Sequence, residues 1–96
     1  MYCKMHNIRG NAILACCDEE LLGKKIENEK FSVEINASFY KHEKVGDGRL
    51  RDLMREANSM NFFGEKCIRA AIEEGFINQS NIIMIGKVPH CQVYKI

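Results

Sequence analysis

The strongest constraint on this chain is a change of hydrophobic period along it. Both ends alternate every second residue, as strands do, while the stretch between them repeats every three to four, as helices do. At the start, YCKMHNI and AILACC flank Arg9-Gly10-Asn11, a tripeptide suited to the positive φ of a tight connection, which predicts a β-hairpin. Tyr2, Lys4, His6 and Ile8 then share one face, with Cys3, Met5 and Asn7 on the other. At the finish, NIIMIG and VPHCQVYKI are separated only by Gly86-Lys87, so they are predicted to pair antiparallel. There Cys91 and Val93 share one face, and His90, Gln92 and Tyr94 share the other. Pro89, the lone proline, limits pairing on one side and suggests a strand at or beside an edge.

Between Arg49 and Gly75 the period is helical. Leu50, Leu53, Met54, Ala57, Met60, Gly64, Cys67, Ile68, Ala71 and Ile72 make one apolar stripe. It predicts one long kinked helix or two consecutive ones, with a break near Asn61–Gly64 where NSMNFFG offers mediocre helix formers. Gly75 is placed as the stop. Asp18 stands where the N-cap of a short turn, DEELLG, is expected, with Gly23 ending it. FSVEI reads as a strand with Phe31, Val33 and Ile35 inward. NASFYKHEKVGDG reads as a polar connection holding one helical turn around Phe39 and Tyr40.

Ninety-six residues suit a single domain, 1–96. Strands at both ends and helix between them predict the α+β class: an antiparallel or mixed sheet of about five strands, with the helical layer packed on one face. Cys3, Met5, Cys91 and Val93 are expected to meet the helices. Tyr2, Lys4, His6, His90, Gln92 and Tyr94 are expected on the opposite, wetter face.

No apolar run approaches the ~20 residues of a membrane span, and the N-terminus lacks the apolar stretch of a signal peptide. A cytoplasmic location without membrane contact is therefore expected. The five cysteines are odd in number and show no CxxC spacing, which favours reduced thiols over disulfides or structural zinc. Net charge is +1, but the acids all lie between Asp18 and Glu74, so both ends are mildly basic.

Three blocks, ACCDEELLGKKI, NFFGEKCIRAAIEEGFI and IIMIGKVPHCQVYKI, resemble the archaeal family called domain of unknown function 424 nearly end to end. The matching positions are Cys17, Asp18, Glu19, Leu22, Gly23, Asn61, Gly64, Pro89, His90 and Gln92. Cys16 and Cys91 stand where the family pattern has alanine. The resemblance implies an archaeal cytoplasmic protein, in a context of translation genes, and brings no catalytic assignment.

Three functional readings follow. The first is a small module binding RNA or ribosomal components through the wetter sheet face. Tyr2 and Tyr94 would stack, Lys4 and Lys87 would meet phosphate, and His90 and Gln92 would hydrogen-bond. Asn61 and Gly64 add an anion site if a helix starts beside them. The second is a small enzyme in which Cys17, its thiol at the start of a helical turn, is the nucleophile and His90 the base. The third is an interaction module, a homodimer included, using the apolar members Tyr2, Ile8, Tyr94 and Ile96. Each residue also has a plain structural role: cap, core thiol, packing glycine, or sheet histidine bonded to a carbonyl. No cofactor motif accompanies them; GKK at residues 23–25 lacks the rest of a Walker loop. His6, His90 and Cys17 have no metal-ligand spacing, so no metal is expected.

Overall fold

The computed structural model describes residues 1–95. Strands β1 (Tyr2–Ile8) and β2 (Asn11–Cys17) form the expected hairpin around Arg9 and Gly10, at φ 51° and 82°. Two positive φ values in a two-residue loop match the right-handed twist of the strands they join. A single 3-10 turn (Glu19–Leu21) leads into a second hairpin, β3 (Lys25–Glu27) and β4 (Ser32–Glu34). Helix α1 (Ala37–Tyr40), β5 (Glu43–Lys44) and helix α2 (Asp47–Glu56) follow. Then come β6 (Ser59–Phe63), helix α3 (Glu65–Glu73), β7 (Ile83–Ile85) and β8 (Val88–Tyr94).

The main sheet has six strands in the order β5, β1, β2, β6, β8, β7, and β3 with β4 forms a separate two-stranded sheet. All pairs in the main sheet are antiparallel except β2 with β6, which run parallel. The class is α+β with a mixed sheet, as expected. FSVEI, however, belongs to the small sheet, and its Phe31 is exposed rather than inward, whereas Val33 and Ile35 do pack inward.

The larger correction concerns residues 49–75. They make two helices with a strand between them, and that strand is the centre of the sheet. Met60 and Phe62 of SMNFF are buried towards α2 and α3 and Phe63 towards the other layer, while Ser59 and Asn61 are half-buried. Its polar alternation, Ser59 and Asn61 against Met60 and Phe62, spans only four residues, too few to stand out from the helical pattern around it. Met60 also falls three residues after Ala57, so it extends the helical stripe by coincidence of spacing.

One face of the sheet packs Cys3, Leu14, Cys16, Phe62 and Cys91 against Leu50, Leu53, Met54, Cys67, Ile68 and Ala71 of the helices. Met5 and Val93 border this layer, as expected. The opposite face is not open throughout. The β3–β4 hairpin and α1 cover part of it, burying Ala15, Cys17, Ile26, Ile35, Tyr40, Phe63 and Ile85 in a second, smaller core. Truncating Leu50 or Leu53 to alanine in the first core would cost about 2–5 kcal/mol.

Candidate functional site

Strand register sorts the second face into cross-strand rows. One row runs Tyr2, Cys17, Phe63, His90 across β1, β2, β6 and β8. The next holds Lys4, Ala15, Asn61 and Gln92, and a third holds His6, Ile13, Ser59 and Tyr94. The alternation read at both ends of the chain therefore puts its polar residues on one face, with the β2 and β6 residues between the two groups.

Helix α1 lies over the β1 half of these rows. Asn36 caps it, its Oδ1 accepting from the Ser38 amide at 2.9 Å. Lys4 Nζ donates to the Ser38 carbonyl at 2.9 Å, and His6 Nε2 donates to the Phe39 carbonyl at 2.8 Å. The His6 ring stacks on Phe39 with centroids 4.4 Å apart. Tyr40 reaches beneath and donates its hydroxyl to Asn61 Oδ1 at 2.8 Å. Burial pushes the Tyr40 phenol well above its ordinary pKa, so it stays a donor and fixes the Asn61 amide.

The β6–β8 end of the second and third rows is uncovered. There Asn61 and Gln92, cross-strand partners, lie in a groove of about 230 Å³ whose sides include Phe39, Ile13 and Tyr94. Phe39 is 39% exposed and Tyr94 75% exposed. With Asn61 Oδ1 taken by Tyr40, the Asn61 NH2 group has no protein acceptor among the described residues, and Gln92 is likewise without a side-chain partner. The groove thus offers amide donors and an amide acceptor on its floor, with aromatic rings beside them.

His90 sits one row further. Its Nδ1 donates to the Phe62 carbonyl at 2.9 Å, and its ring stacks on Phe63 with centroids 4.0 Å apart. Burial lowers its pKa, partly offset by the bond to Phe62, so the imidazole is held neutral with Nε2 as its remaining acceptor. Phe63 separates it from Cys17 in the same row. Two strand spacings make that separation about 10 Å, too far for a nucleophile and its base. Cys17 is fully buried, and desolvation, with Cys67, Cys3 and Asp18 close by, pushes its thiol up to about 12. A thiol so buried and so weakly acidic does not suit the expected pair. Among the described residues no group of three His, Cys, Asp or Glu side chains is placed to hold a metal ion.

Asp18 corrects another expectation. Its side chain makes no bond to its own 3-10 turn. Instead the carboxylate, 3% exposed, accepts from the amides of Lys66 and Cys67 at 3.0 Å each, capping α3 from 48 residues upstream. Gly64, at φ 111°, is held against that carboxylate, and its own amide donates to the Pro89 carbonyl at 2.9 Å. The amides of Gly64, Lys66 and Cys67, where a phosphate was expected, already have partners. Around this pair lies a cleft of about 230 Å³ lined by Lys66, Arg69 and Lys87 together with Glu20 and Glu65.

The residues proposed for one binding surface are thus divided. Gln92, Tyr94 and Asn61 come together, with His90 in the neighbouring row. Tyr2 lies at the far side of the sheet, half-buried, with Lys41 Nζ 5.6 Å from its ring centroid. Lys4 is engaged beneath α1, and Lys87 belongs to the separate cleft. Ile96 lies outside the described residues. Phe39, Lys66 and Arg69 escaped the sequence reading. Phe39 sits in a polar connection whose path over Ile13 is set by tertiary contacts, while Lys66 and Arg69 look like any solvated helix charges.

A solved structure described as an uncharacterized conserved protein from Methanopyrus kandleri is similar over 97% of this chain and 89% of its own, at 25% identity and a TM-score of 0.82. Among curated proteins, none matches. Three positions of the earlier resemblance, Asp18, Gly64 and Pro89, meet at the start of α3, and two more, Asn61 and Gln92, meet on the groove floor. Residues 6–96 match the family described as protein of unknown function (DUF424), and the chain belongs to it.

Proposed function

We propose that the protein is a small module that binds single-stranded RNA, free or within a ribonucleoprotein, through the groove between Phe39 and Tyr94. One observation carries this reading: the Asn61 and Gln92 amides are cross-strand partners on the floor of a groove flanked by two exposed rings. An unstacked base presents a flat face and a hydrogen-bonding edge, and rings with amides complement both.

The nearly neutral chain, at net charge +1, implies few phosphate contacts. Binding should therefore be modest and its salt dependence shallow, with a log–log slope of about −1 to −2. Fluorescence anisotropy of short labelled single-stranded RNAs at low salt tests the reading. Tyr94→Ala and Gln92→Ala should each weaken binding, the former about tenfold, since stacking is worth ~1–3 kcal/mol per base. Tyr2→Ala should leave it unchanged. Absence of binding, or indifference to both groove substitutions, would overturn it.

A further inference from the structure

The helical face ends in a trough. Helix α3 stops short of the outermost strand, leaving Met84 of β7, 54% exposed, beside Ile82, Ile68 and Ile72 around a depression of about 440 Å³. Arg69, Glu65 and Pro89 line both this depression and the cleft at the start of α3, so the two join into one furrow. Its character changes along its length: apolar between α3 and β7, charged where Lys66 and Lys87 join Arg69 beside Asp18, Glu20 and Glu65.

Those cations differ from the others on the helical side. Arg49, Arg51 and Arg55 of α2 each pair with a carboxylate. Among the described residues, Lys66, Arg69 and Lys87 form no ion pair, although Glu20 and Glu65 border the same cleft. The third carboxylate there, Asp18, is engaged by the amides of α3.

We propose that this furrow binds a small amphiphilic anion. Its short apolar body lies against Ile68, Ile72, Ile82 and Met84, and its carboxylate or phosphate head meets Arg69 and Lys87. Both halves are needed. The apolar half removes hydrocarbon from water without directional demands. The cationic half supplies donors for charge-assisted hydrogen bonds to an oxyanion, Arg69 in bidentate form. Glu65, at the junction, opposes the head group and sets the affinity below what the three cations alone would give. The furrow lies on the opposite side of the sheet from the groove of the RNA reading and stands or falls without it.

Anilinonaphthalene sulfonate, an apolar ring system carrying a sulfonate, is a direct probe. With the protein shown to be folded by a cooperative thermal melt, its fluorescence should rise saturably at one site. Octanoate or octyl phosphate should displace it, the more effective of the two identifying the preferred head. Acetate, inorganic phosphate and octanol should each displace it at least about tenfold more weakly, because each offers only one half of the ligand. The double substitution Arg69→Ala with Lys87→Ala should weaken binding about tenfold or more. Met84→Ser should weaken it several-fold, and Glu65→Gln should strengthen it. These are surface positions, so the melt should hold in each variant. Absence of saturable binding, binding indifferent to the arginine and lysine substitutions, or displacement by octanol as strong as by octanoate would overturn the proposal.

Discussion

A Cβ at position 64 would fall inside the Asp18 carboxylate: Gly64 and Asp18 occupy complementary space at the junction of β2, β6 and α3. The glycine adopts a positive φ that other residues rarely reach, and the carboxylate fills the volume the missing side chain leaves.

Gly64→Ala is therefore expected to destabilise the fold by about 3 kcal/mol or more, combining backbone strain with the clash. Asp18→Ala should cost about 1–2 kcal/mol through loss of the α3 cap. With Asp18 already removed, the alanine at 64 meets only the strain, so the double variant should lose less than the sum by about 1 kcal/mol or more. Urea unfolding of the four proteins measures this coupling, and simple additivity would contradict the interlock.

The partly buried hydrogen bond from Tyr40 to Asn61 ties α1 to the central strand. Tyr40→Phe should cost about 0.5–1.5 kcal/mol in the same unfolding experiment. Asn61→Ala should cost a similar amount or more, since the phenol hydroxyl would be left without its acceptor. A Tyr40→Phe protein as stable as the parent would show that α1 is held by packing alone.

His90 gives stability an acid-side pH dependence. Its folded pKa lies below the ordinary 6.5, so the unfolded chain takes up a proton more readily. Where the unfolded state binds more protons, stability rises with pH. The contribution is intact above the ordinary value and is lost as pH falls from there through the depressed folded pKa. Unfolding free energies of the parent and His90→Gln between about pH 5 and 7.5 should converge towards the acid end. Parallel curves would place the histidine outside this balance.

All five cysteines are buried, and burial raises the thiol pKa of Cys17, Cys67 and Cys91. Cys16 is raised chiefly by its hydrogen bonds with Cys3 and Cys67. Alkylation of the native protein at neutral pH should accordingly be slow at every thiol and become rapid in denaturant. Fast, selective labelling of Cys17 would revive a nucleophilic role for it.

Much of this fold was legible because partial burial leaves a pattern. The terminal strands each show one face to a core and one towards solvent, so the spacing of Cys3, Met5, Cys91 and Val93 reveals which side meets the helices. The turn at Arg9-Gly10 and the short link at Gly86-Lys87 were equally plain, because tight connections demand particular residues. SMNFF was hidden because its alternation spans only four residues and its Met60 continues a helical spacing.

For the candidate site, local pattern determined that Gln92 and Tyr94 would point the same way. It could not determine which of the aligned polar residues would be covered. Helix α1 engages Lys4 and His6 and the Asn61 oxygen but leaves the Asn61 NH2 group, Gln92 and Tyr94 open, a choice made by contacts between segments distant in sequence. Asp18 shows the same division. The sequence by itself determined that a short acidic side chain follows β2. Only the tertiary structure decided which helix it caps, because the amides nearest in space belong to residues 48 and 49 positions away.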